Sequence, residues 1–87
     1  MTPVLDLGAS SAPTLAARTR EHLVAAAPSL WRVLEPGGRV IGHLERVAQP
    51  DGVRFRARRF HAPSQVFRDL GDFWSADDAV ECLRFTR

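Results

Sequence analysis

The sequence predicts an α+β domain: a three- to four-stranded antiparallel meander packed against a C-terminal helix, with an additional N-terminal helix. Three observations carry this. Two strong turn signals, Glu35-Pro36-Gly37-Gly38 and Gln49-Pro50-Asp51-Gly52, separate apolar runs of strand length. The segment VRFRARRF at residues 53–60 alternates strictly over its first six residues, which is the period of a half-buried strand. Ser75-Ala76-Asp77-Asp78 has the form of a capping box, and it opens a run whose Ala76, Ala79, Val80 and Leu83 share one helical face.

The elements follow in order. Residues 1–11 are small and polar and read as a flexible or extended segment, leaving residues 12–87 as a single small domain. Residues 13–27 are Ala-rich and place Leu15, Thr19, Leu23 and Ala26 on one stripe, so a helix is expected there, with Ser11 as its cap, Pro13 in its first turn and Pro28 at its end. Strands are expected at residues 30–34, 39–48, 53–60 and 66–70. The last helix starts at Ser75, where Asp77 and Asp78 suit the positive end of its dipole.

Composition narrows the function. A chain of 87 residues makes one domain and excludes most large enzyme folds. Cys82 is the only cysteine, so no disulfide forms within the chain, and a reducing compartment fits. No apolar run reaches the ~20 residues that span a bilayer, and the amino terminus lacks the basic start and long apolar stretch of a signal peptide. A cytoplasmic protein without membrane contact is therefore expected. No nucleophile–base motif, CxxC or HxxxH spacing accompanies His22, His43, His61 or Cys82, so neither an enzyme nor a metal or cofactor site is expected. The segments VLDLGAS and VLEPGGRVIG look like landmarks of class I methyltransferases. The 22 residues between them are too few for the strand–helix units of that parallel sheet.

Charge points to a surface. All 12 basic residues are arginine, which fits GC-rich coding and also fits bidentate recognition of phosphate or carboxylate. Residues 29–60 carry seven arginines and three acids, whereas residues 61–87 carry three arginines and five acids. A basic middle beside an acidic end implies an anionic partner for the middle. Alternation puts Val53, Phe55 and Ala57 on one side of the third strand and Arg54, Arg56 and Arg58 on the other. Pairing residue 48 with 53 keeps the apolar sides together, and it sets Glu45 opposite Arg56 and His43 opposite Arg58. One glutamate cannot neutralise three arginines. The candidate contact set is Arg54, Arg56, Arg58, His43 and Arg46, and its alternative reading is a solvated face of cross-strand ion pairs. Trp31 and Trp74 are expected in the core or at its rim rather than stacked on bases.

Residues 38–84 resemble the small amino-terminal arm-binding domains of tyrosine recombinases and their AP2-like relatives. The features that carry the resemblance are GRVIGHLERV, VRFRARRF and FWSADDAVECL, with Phe73, Ser75, Asp78 and Ala79 in the aromatic–Ser–acid–Ala slot at the helix start. The resemblance covers about half the chain. It implies a three-stranded sheet laid in the DNA major groove and backed by a helix, with Arg54, Arg56 and Arg58 facing DNA. The expectation is a non-enzymatic module that contacts nucleic acid through an arginine-rich sheet face. The competing class is a protein-interaction or adaptor domain that uses a sheet edge or charged face, and homodimerisation through an edge strand or the first helix is open.

Overall fold

A computed structural model of the chain describes residues 12–86. The described elements are β1 (His22–Ala27), β2 (Leu30–Leu34), β3 (Val40–Gln49), β4 (Gly52–His61), β5 (Val66–Phe73) and α1 (Ala76–Phe85). The strands form one five-stranded sheet in the order β1-β2-β3-β4-β5, and every neighbouring pair is antiparallel. The fold is thus α+β, with a multi-stranded antiparallel sheet and a C-terminal helix. The expected flexible segment at residues 1–11 and the Ser11 cap lie outside the described residues.

One element differs in kind. Where the Ala-rich pattern predicts an N-terminal helix over residues 13–27, the described chain makes a turn closed by Thr19 N–H donating to the Ala16 carbonyl at 2.9 Å, and then strand β1. Alanine is the best helix former, but intrinsic propensity is a weak preference and tertiary pairing overrides it. Here β1 pairs with β2 from His22↔Leu34 to Ala27↔Leu30, across a tight Pro28-Ser29 turn in which Ser29 adopts φ 74°. The sheet therefore has five strands, not three or four.

The turns behave as their residues dictate. Gly38, with φ 97°, donates its N–H to the Glu35 carbonyl at 2.8 Å and closes the β2–β3 turn. Gly52, with φ 129°, opens β4, and the hairpin keeps the expected register: Ala48↔Val53, Glu45↔Arg56, His43↔Arg58 and Leu44↔Ala57.

The helix covers one face of the sheet. Trp31, Val33, Leu44 and Ala57 pack there against Ala76, Ala79, Val80 and Leu83, all buried. Gly42 allows this approach: a Cβ at this position would collide with the Leu83 side chain and stand 2.9 Å from the Arg58 carbonyl oxygen. Ser75 caps α1, its Oγ accepting from Asp78 N–H at 3.1 Å. At the other end Arg59 donates to the Leu83 carbonyl at 2.8 Å and to the Thr86 carbonyl at 2.5 Å, satisfying acceptors that the last helical turn leaves open. Asp77 does more than suit the dipole. Its carboxylate accepts from Ala16 N–H and from the Thr19 hydroxyl, each at 3.0 Å, and so ties the N-terminal segment to the helix start. Buried Glu21 receives a two-pronged bond from Arg84 at 3.0 and 2.7 Å. That bond holds the Arg84 guanidinium above its ordinary pKa. No helix among the described residues is long and apolar enough to cross a membrane.

Candidate nucleic-acid interface

The face opposite the helix carries no covering element among the described residues. Pairing fixes its occupants, because residues directly opposite in an antiparallel ladder project to the same side. Arg54, Arg56, Arg58 and Phe60 of β4 share this face with His43, Glu45 and Val47 of β3 and with Arg32 of β2. Asp72, Asp69 and Phe67 of β5 complete it. Four of the five candidate residues therefore come together. Arg46 does not: it pairs with Phe55 on the helix side, with its guanidinium 5.1 Å from the Trp31 ring centroid.

The surplus charge expected on this face is largely cancelled. Arg56 donates Nε–H and Nη2–H to the two oxygens of Asp72 at 2.8 and 3.0 Å. Arg58 reaches Asp69 at 2.9 Å and Glu45 at 3.4 Å. Arg54 reaches Asp51 in the preceding turn at 2.8 Å. The hydrogen bond from Arg56 holds the Asp72 carboxyl below its usual pKa, and that from Arg54 does the same for Asp51. The reason these acids escape notice in the sequence is geometric. Asp69 and Asp72 are three residues apart, so regular alternation would put them on opposite faces. The ladder shifts between Ala57↔Gly71 and Arg58↔Asp69, leaving Leu70 as an extra residue, and this bulge brings both carboxylates to the arginine side.

The two ends of the face differ. Toward the β4 start, Arg54 stacks 3.3 Å from the centroid of Trp74, which is 64% exposed rather than buried. Here cation and carboxylate balance. Toward the β4 end, Phe60 and Phe67 face each other across the strands with centroids 5.4 Å apart, His43 packs edge-on to Phe67 at 4.9 Å, and the Arg58 guanidinium lies 4.9 Å over Phe67. Arg32, opposite His43, and Arg39 have no carboxylate partner among the described residues, and both are exposed. A hollow of about 340 Å³ opens around the start of β3 and the end of β4, with His43 and Phe60 of the open face and Ile41, Gly42 and Arg59 of the helix side in its lining, beside Arg39. Burial, and then the charges of Arg32 and Arg58, push the His43 pKa below its ordinary value, so the ring is neutral at neutral pH. Its Nδ1 is buried without a hydrogen-bond partner.

The remaining candidates sort simply. Trp31 is core, and Cys82 packs half-buried against the core as a free thiol. His61 Nδ1 bonds the Ser64 hydroxyl at 2.6 Å within its loop. No cluster of His, Cys, Asp or Glu placed to hold a metal ion occurs among the described residues. Comparison with protein-family models, with curated proteins and with solved structures finds no match for this chain. The resemblance to arm-binding domains accordingly rests on the residues quoted for it.

Proposed function

We propose that the protein is a non-enzymatic module that contacts nucleic acid with the uncovered face of its sheet. The observation that supports this reading is the pairing of aromatic rings with arginines at the β4 end of that face: Phe60 and Phe67 beside Arg58, with Arg32 and Arg39 free of carboxylate partners among the described residues. Phosphate contact supplies most of the affinity in such complexes, and a sheet face that no element covers among the described residues offers the area for it. The acid-paired arginines still contribute. A guanidinium has five N–H donors, and Arg56 spends two of them on Asp72, so the others remain for a ligand in a fixed orientation.

The test is fluorescence anisotropy with a labelled duplex and its separate strands at about 50 and 200 mM salt. Binding at the lower salt is expected. With only two or three unneutralised cations engaged, the slope of log affinity on log salt should be about −2. R32A combined with R58A should weaken binding more than R54A combined with R56A. Absence of binding to every form at low salt overturns the reading.

A second reading has its own support. Strand β1 (His22–Ala27), at the sheet edge among the described residues, carries neither a formal charge nor a proline, so its own side chains do not guard it against pairing with another strand. A protein partner or a second copy held there would bind with little dependence on salt, and sedimentation analysis across a concentration series distinguishes the two.

A further inference from the structure

We infer that the nucleic acid this face takes is single-stranded, and that an unpaired base enters the hollow at the β4 end and stacks on Phe60. This rests on the function proposed above and narrows it. In a duplex the faces of the bases are occupied by their neighbours, so a ring standing out from a sheet has no base to stack on. Phenyl rings on the open face of a sheet, set on adjacent strands and flanked by cations, suit bases that are splayed out of a stack. Phe60 and Phe67 stand in this arrangement. They are a directly opposed pair on β4 and β5, they remain 47% and 38% exposed, and neither packs against α1.

The surroundings fit the same ligand. The hollow of about 340 Å³ lies at the small end of the range for small-molecule sites, a suitable size for one base with its sugar. Arg39 and Arg59 border it together with His43. Arg59 is committed to the carbonyls at the end of α1, so it shapes the wall, while Arg39 is the cation available to a phosphate. The Arg58 guanidinium lies over Phe67, the next ring, while also bonded to Asp69 and Glu45. Phosphates on either side of the docked base would thus meet Arg39, Arg58 and Arg32. Asp72 and Asp51 lie toward the β4 start, and Asp69 and Glu45 are engaged by Arg58, which leaves Arg32 and Arg39, without carboxylate partners among the described residues, to grip the strand near Phe60.

The experiment compares three ligands: a labelled oligothymidylate of about 12 nucleotides, an abasic strand with the same number of phosphates, and a hairpin duplex. The wild-type protein should bind oligothymidylate about tenfold or more tighter than the abasic strand, and tighter than the duplex. F60L, which keeps an apolar side chain but removes the flat ring, should weaken oligothymidylate binding about tenfold and leave abasic binding unchanged. F67L should act in the same direction with a smaller effect, and melting curves should show both variants folded. Equal affinity for the abasic strand and oligothymidylate, or F60L binding like wild type, overturns the inference. If R32A with R58A still weakens binding in that case, the proposed function stands and only the stacking is lost. If no ligand binds, both fall.

Discussion

The two faces of this sheet are built by opposite means. On the covered face, Trp31, Val33, Leu44 and Ala57 exclude water against α1, and stability comes from apolar area and close fit. On the open face, Arg54, Arg56 and Arg58 alternate with Asp51, Asp72, Asp69 and Glu45, and order comes from directional ion pairs in partial contact with solvent. The energetic consequence is lopsided. Burying a Leu side chain is worth about 1.5–3 kcal/mol, whereas an exposed ion pair is worth about 0–1 kcal/mol. One face makes the fold, and the other is held in shape at little cost to stability if its residues are spent on a ligand.

That contrast can be broken from its strong side first. Leu83→Ala empties the centre of the covered face, where the side chain is fully buried, and should destabilise the protein by about 3 kcal/mol in urea titration. The next effect is smaller. Arg84→Ala removes the two-pronged bond to buried Glu21 and should cost about 2 kcal/mol, and Arg84→Lys should restore only part of it because the fork geometry is lost. A loss below about 0.5 kcal/mol for either substitution would erase the distinction between the faces.

The smallest effect sharpens the comparison on the open side. Asp72 has its pKa lowered in the folded state, so its contribution is complete above the ordinary carboxylate range and is lost as pH falls through the folded value. Asp72→Asn should remove that acid sensitivity while costing less than about 1 kcal/mol at neutral pH. His43 acts in the same direction at higher pH. Its lowered pKa means that the unfolded chain takes up the proton first, so stability should decline as pH drops below about 6.5, and His43→Leu should flatten that decline. Thermal melts from neutral to acid pH check both.

Much of the architecture was legible where local and long-range preferences agree. The alternation of Val53, Phe55 and Ala57 against Arg54, Arg56 and Arg58 fixed the β3–β4 register, because any slip would have mixed the two sides. Ser75 with Asp78 marked the start of α1 for an equally local reason. Residues 22–27 were illegible because alanine is a good helix former, and nothing nearby reveals that β2 offers a ladder to pair with. The charge balance of the open face was hidden by one inserted residue, Leu70, which no pattern of period two exposes. Of the two tryptophans expected in the core or at its rim, Trp31 is buried, whereas Trp74 is 64% exposed and stacks on the Arg54 guanidinium, a partner that ring size does not reveal. The clustering of Phe60, Phe67 and His43 depends on the β4–β5 register, for which the spacing of Phe60 and Phe67 around the loop after His61 is the available signal.

Arg59 gives the arrangement one more property. It points away from its neighbour Arg58 and clasps the last carbonyls of α1, so strand β4 is fastened from behind at the very place where its front is proposed to receive a strand of nucleic acid. A backbone anchored in this way surrenders little freedom when a guest arrives, and the entropy usually forfeited on association has largely been spent during folding.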